Sequence, residues 1–202
     1  DVAMVNLGSY YRVNAKNYDL MKKYYLMAIE KGNILAIYCL ALYYQDMEKN
    51  YDLMKQYYLM AIEKGHLASM NNLGYYYGNI EKNYDLMKHY YLMAIEKGHL
   101  VAMNNLGHYY QRVEKNDDLM KYYYLMAIEK DHLVSMRNLA FHYLEREKNN
   151  QLMEKYYYMA IEKGCTGAAF SLEQAYLKSG NIVGLLQLYI KTNHQAKILN
   201  TL

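Results

Sequence analysis

One phrase of sequence returns every 33 residues along this 202-residue chain, and no other feature limits its fold as much. Asn17-Tyr18-Asp19-Leu20-Met21-Lys22 leads into Tyr24-Tyr25-Leu26-Met27-Ala28-Ile29-Glu30-Lys31-Gly32. It restarts at Asn50, Asn83 and Asn116 and, in weaker form, at Asn149. Between these lies a second phrase, Ala102-Met103-Asn104-Asn105-Leu106-Gly107-His108-Tyr109-Tyr110, whose counterparts begin at Ala3, Ala36, Ser69, Ser135 and Ala168. The chain thus holds six repeats of two phrases each, at about 1–33, 34–66, 67–99, 100–132, 133–165 and 166–202. A unit this short cannot bury two apolar faces alone, so the repeats must stack on one another.

Both phrases read as helices. Leu20, Tyr24 and Ala28 follow i, i+4, i+8 spacing, as do Ala3, Leu7 and Tyr11. Asn17 suits an N-cap and Asp19 the positive first turn. Gly32 supplies the left-handed residue that ends the second helix, a place taken by Asp131 in repeat four. Gly8, Gly74 and Gly107, with the small Ala41 and Ala140 at the same place, point to close approach of the partner helix. The expected fold is all-α: one α-α superhelix (solenoid) of six helix-turn-helix repeats spanning 1–202, with the second helix of repeat one over Tyr18 to Lys31. Repeat six keeps Leu185, Leu186 and Tyr189 but ends in Thr192-Asn193-His194, which reads as a polar C-terminal cap. Asp1 in place of an initiator Met, with no N-terminal cap, is read as a sign of missing upstream sequence.

Charge is nearly balanced, 23 Lys and Arg against 20 Asp and Glu, which excludes a basic nucleic-acid arm and an acidic tail. No run of about 18 apolar residues could span a membrane, and the start lacks the basic-then-apolar pattern of a secretory leader. A soluble, monomeric, cytoplasmic protein is expected.

The motif A-x-x-x-L-G-x-x-Y, then Y-Y-x-x-A, then G-x-x-x-A resembles the Sel1-like repeat, a relative of the tetratricopeptide repeat. Ala102 to Tyr110, Tyr123-Tyr124, Ala127 and the residues around His132 carry it, and the match covers nearly the whole chain. There are departures: the repeat is a few residues short, Tyr24 and its equivalents stand where Trp is frequent, and Ile29 replaces the second Ala of a usual pair. The 33-residue period also suits ankyrin repeats, but their T-P-L-H pattern and Pro turns are missing. The resemblance implies a non-catalytic scaffold that holds other proteins. Composition rich in Tyr, Asn, Lys, Ile and Met is similar in style to repeat proteins of large DNA viruses of amoebae, or of an A+T-rich microbe; a viral source would place the protein in the host cytoplasm. Bacterial relatives with a disulfide in every repeat, proposed to act on β-lactams, do not transfer, because those cysteines are missing.

Chemistry-bearing residues are sparse. His66, His99 and His132 form a column, one per repeat, too widely spaced to share a metal whose bonds are ~2 Å; they read as polar turn residues, and no metal or cofactor is expected. Cys39 and Cys165 stand about four repeats apart, too far for a disulfide. The Tyr11 and Tyr24 columns suit core packing better than base stacking, and Met21 and Met27 read as core. Lys22, Lys55, Lys88 and Lys121 read as an uncompensated row on a solvated outer face.

Function is expected where the repeats differ. On the tetratricopeptide pattern the first helices line a concave groove. Three of their columns diverge: Val5, Tyr38, Asn71, Asn104, Arg137, Phe170; Ser9, Leu42, Tyr75, His108, Phe141, Gln174; and Arg12, Gln45, Gly78, Gln111, Leu144, Leu177. The expected site for a protein or peptide partner is Tyr38, Leu42, Asn71, Tyr75, Asn104, His108, Gln111, Arg137 and Phe141. Asn71, Asn104 and Arg137 would act as donors, with Tyr75, His108 and Phe141 as anchors. No catalytic residue is assigned. Two alternatives are weaker: RNA binding by a helical repeat, against which the near-neutral charge counts, and a β-lactamase-like or cell-wall-acting repeat enzyme, for which no nucleophile–base set is apparent.

Overall fold

Each second helix begins at an asparagine. Asn17, Asn50, Asn83, Asn116 and Asn149 accept, through the side-chain oxygen, a hydrogen bond from the backbone N–H three residues on. Such a cap is worth about 1 kcal/mol. These helices end where Gly32, Gly65, Gly98 and Gly164 turn left-handed, with φ of 80° to 87°; Asp131 fills the same place at 64°, as the sequence requires.

The computed structural model describes residues 1–193, and these hold twelve α-helices and no strand. They run in pairs: α1 Val2–Val13 with α2 Tyr18–Glu30, α3 Ile34–Tyr43 with α4 Tyr51–Glu63, and α5 Leu67–Tyr76 with α6 Tyr84–Glu96. There follow α7 Leu100–Tyr109 with α8 Asp117–Ile128, α9 Leu133–His142 with α10 Asn150–Glu162, and α11 Thr166–Ser179 with α12 Ile182–Lys191. The all-α helical-repeat fold is the expected one. The chain packs as two compact units, Asp1–Ala102 and Met103–Leu202, and each is described by itself.

The passage from first to second helix is more than the simple turn of a helix-turn-helix repeat. In repeats two to five the first helix widens into a π-helical turn, Tyr44–Glu48, Tyr77–Glu81, Tyr110–Glu114 and Tyr143–Glu147. Lys49, Lys82, Lys115 and Lys148 then close it in the left-handed region, at φ of 53° to 57°. A lysine there costs about 1 kcal/mol or more, which no periodicity reveals.

The core face of the second helix also lies one residue on from the expected one. Met21, Tyr25 and Ala28 are fully buried, whereas Leu20 and Tyr24 are half-buried. Tyr24 instead stacks on Tyr11 with ring centroids 5.5 Å apart. The same pair recurs as Tyr44–Tyr57, Tyr77–Tyr90, Tyr110–Tyr123 and Tyr143–Tyr156. The Tyr columns are therefore spent on packing. Gly8 is small for a reason the sequence anticipates: a Cβ there would lie 2.5 Å from the Tyr25 ring. Leu73 and Leu106 are fully buried. Leu7, in the first repeat, is 41% exposed, while its counterpart Leu40 is fully buried.

The lysine row is not uncompensated. Lys22 donates to Glu48 at 2.7 Å, Lys55 to Glu81 at 3.1 Å, and Lys121 lies 2.5 Å from Glu147. In each case the acid belongs to the next repeat. Tyr43 also donates to Glu48; in repeat five His142, fully buried, takes the place of Tyr43 beside Glu147. Lys22, and after it Tyr43, hold the Glu48 carboxyl below its usual range; Lys121 does the same to Glu147.

Repeat six shifts register. Asn181 caps α12 by accepting from Gly184, one residue earlier than the periodicity demands. Counted from the cap, Tyr189 stands in the Tyr25 column and not the Tyr24 column. Its hydroxyl donates to Glu173 at 2.8 Å, as Tyr58 and Tyr124 donate to Gln45 and Gln111. Leu185 and Tyr189 are buried as expected; His194, the end of the expected cap, lies outside the described residues.

Candidate functional site

The first helices keep some divergent residues at the surface and draw others inward. In the N-terminal unit Tyr75, on α5, is 53% exposed. Tyr38 and Leu42, on α3, are half-buried. The Tyr38 ring rests 4.6 Å from that of His66, and its hydroxyl accepts from Asn72. Asn71 is buried and donates to Asn72 at 3.3 Å, so it cannot serve as a donor to a partner. Val5, at the head of the same column, is buried as well.

In the C-terminal unit Phe141, on α9, is 52% exposed, and His108, on α7, is exposed. Arg137 is half-buried on α9. The Asn104 side-chain oxygen is engaged within the protein, accepting from Asn138 at 3.0 Å and from Ser135 at 3.1 Å. Gln111 accepts the hydroxyl of the buried Tyr124, which makes it a support of the core. The expected anchors Tyr75, His108 and Phe141 thus face solvent, while of the expected polar donors Asn71 is buried and Asn104 is held by its side-chain oxygen. Phe170, on α11, is 64% exposed and was not among the expected anchors; its place in a divergent column was the signal. The three columns carry Arg12, Arg137 and His108 but no Asp or Glu in any of the six repeats.

The histidine column has a structural task more specific than that of a turn residue. His99 Nδ1 accepts from the Ala102 N–H at 3.2 Å, and His132 Nδ1 from the Ser135 N–H at 3.3 Å, so both cap first helices. His66 and His132 also lie 2.9 Å from Ser69 and Ser135. These Ser–His pairs have the look of a nucleophile and base, but both serines are fully buried and the pairs recur as i, i+3 helix caps. Burial lowers the pKa of His66 and of His99. Among the described residues no three His, Cys, Asp or Glu gather as a metal site. Cys39 and Cys165 are free thiols, and burial pushes the Cys39 thiol up, away from nucleophilic range.

One cavity, of about 520 Å³, opens in the C-terminal unit between the end of α10 and the last pair, α11 and α12. Ile161, Cys165, Ala169, Phe170 and Leu188 wall it, with Glu173 and Tyr189 inside and Lys191 and Thr192 among its lining. Its origin is legible in the repeat. Ile37, Met70, Met103 and Met136 fill the fourth position of their first helices; in repeat six that position is Ala169. The volume falls within the ~300–1,000 Å³ of small-molecule pockets.

No protein-family model matches the chain, and no curated protein matches it in sequence. Solved structures match in fold. The chain is similar to c5321, described as a protective antigen of uropathogenic Escherichia coli with an SLR fold, at 19% identity and a TM-score of 0.67, over 95% of this chain and 45% of that one. The chain therefore spans under half the length of that protein. A Sel1 repeat protein of Oxalobacter formigenes superposes at 24% identity and a TM-score of 0.63, over 80% of this chain and 73% of that one. An immunity protein, Pa5087 of Pseudomonas aeruginosa, does so at 19% identity and 0.57, over 80% and 67%. At these identities the likeness is one of fold.

Proposed function

We propose that this chain, whose fold is that of Sel1-like repeat proteins, is a non-catalytic scaffold that binds a protein or peptide partner on the exposed face of its first helices. One contrast carries the reading. The second helices are nearly copied from repeat to repeat and spend most of their apolar side chains on stacking, with Tyr122 on α8 as an exposed exception, while the first helices diverge along three columns and keep Tyr75, Phe141 and Phe170 more than half exposed. Aromatic and Arg side chains supply a disproportionate share of interface energy. Within the reading, Tyr38, Leu42 and Tyr75 serve the N-terminal unit, and His108, Arg137 and Phe141 the C-terminal one. The protein acts as a cytoplasmic monomer; among the described residues no helix is long and apolar enough to cross a membrane.

The test is a pulldown from the source organism's cytosol, or its host's, followed by affinity measurement on the captured partner. Tyr75→Ala with Arg137→Ala should weaken binding at least tenfold, or ~1.4 kcal/mol. Lys23→Ala with Gln56→Ala, exposed on the second helices, should leave it unchanged. The opposite pattern would move the binding surface to the second helices and refute the reading.

A further inference from the structure

The C-terminal unit carries enough chemistry to say what kind of segment its first helices take, granted the binding face proposed above. Arg137 forms no ion pair among the described residues. Its guanidinium reaches over α11: a Cβ on Gly167 would come within 3.0 Å of Nη1. Repeats one to five carry Val2, Leu35, Ala68, Val101 and Val134 at the place of Gly167, so the glycine lets the guanidinium lie closer to α11 than a side chain there would. The chain has two phenylalanines against 28 tyrosines. Phe141 lies one turn from Arg137 on α9, on the same face. Phe170 lies one turn from Gly167 on α11, roughly 5 Å along the axis. Both are more than half exposed. Phe170 also walls the cavity beside Ala169, so the residue one turn on from Gly167 borders an apolar recess.

The acids in this region are accounted for. Glu173 accepts from Tyr189 at 2.8 Å, Glu162 pairs with Lys191 at 2.5 Å, and Glu145 lies 3.6 Å from Lys178. Arg137 thus keeps its fork of donors, whose planar geometry matches a carboxylate two bonds at a time.

We propose that Arg137 and the α10–α12 cavity form one recognition site for an acidic segment of a partner protein. An Asp or Glu side chain pairs with the guanidinium, and a bulky apolar side chain close to it in sequence passes Phe170 into the cavity. The segment is internal rather than a chain end, because exposed groups continue past Arg137 on both sides, His108 on α7 and Leu177 on α11.

The test uses the full chain and a phage library of random dodecapeptides, with selected peptides synthesised acetylated and amidated and measured by fluorescence polarisation. Enriched peptides should pair an Asp or Glu with a Leu, Met or Phe, and changing the acid to its amide should weaken binding about tenfold. Arg137→Gln should erase the difference between acid and amide peptides. Ala169→Met, which restores the residue other repeats use and so suits the fold, should weaken peptides with the bulky residue but not their Ala versions. Neutral or basic peptides that depend on Phe141 would overturn the acidic preference and leave the binding face standing. Peptides indifferent to Phe141→Ala would overturn both. An acid–amide difference that survives Arg137→Gln, indifference to Ala169→Met, or a library with no enriched peptide would each overturn the two-point site.

Discussion

At the scale of single residues, the repeat separates groups spent on the core from groups left for other work. Leu106 is fully buried, and Leu106→Ala should cost ~2–5 kcal/mol in denaturant unfolding, the usual range for such a deletion. A cost under ~0.5 kcal/mol would mean that the helical face is misassigned. Spacing found this leucine column and the glycine at Gly8, because tight packing leaves a regular mark on sequence. Spacing missed the core face of the second helix by one residue, because Tyr24 and Tyr25 are chemically identical and only their neighbours distinguish stacking on Tyr11 from full burial. Nor could it foresee that Asn71 and Gln111 turn inward: an amide that supports a neighbouring side chain reads the same as one that greets a partner.

At the scale of elements, helix ends carry what the sequence hid. The His99 and His132 caps accept through Nδ1 and need a neutral ring. Burial lowers the folded-state pKa of His66 and His99 below the unfolded value near 6.5. The unfolded chain then binds more protons in that window, so stability is full above about pH 6.5 and falls as pH drops through the lowered values. Thermal unfolding should therefore shift to lower temperature between about pH 7.5 and 5.5. His66→Asn with His99→Asn should shrink the shift, leaving the share of His108, whose pKa burial also lowers; Asn33 already caps α3 through its side-chain oxygen, so Asn suits the place. A melting temperature that ignores pH, or a shift undiminished in the double variant, would exclude burial of His66 and His99 as its source. The π-helical turns make a second prediction. Lys82 sits at φ 57°, so Lys82→Gly should relieve strain and stabilise by up to about 1 kcal/mol, net of the freedom glycine gains when unfolded. Loss of stability by calorimetry would show that the Lys82 side chain matters more than its backbone. The lysine row was misread for a related reason: the partners of Lys22 and Lys55 lie one repeat ahead, at Glu48 and Glu81, beyond the reach of local charge patterning.

At the scale of the whole molecule, the repeat number and the all-helical class were legible because six near-copies of one phrase leave little room for another reading. The binding face was legible only in part, through divergence and exposure, and the cavity beside Ala169 not at all, since a missing methionine looks like drift until its volume is seen empty. Stability at this scale should rest on helix stacking alone: a chelator or a reductant should leave the melting temperature where it was, and a drop in either would reveal a metal or a disulfide bond the fold depends on. The links from Lys22 to Glu48 and from Lys55 to Glu81 have a bearing on how such a chain changes over generations. Repeats one to four carry the lysine and repeats two to five the glutamate, so one more such copy inserted in phase among them, or one fewer, meets its neighbours with the same chemistry. The gene can lengthen or shorten by whole repeats without inventing a new joint, while the exposed face of each added copy is free to be rewritten.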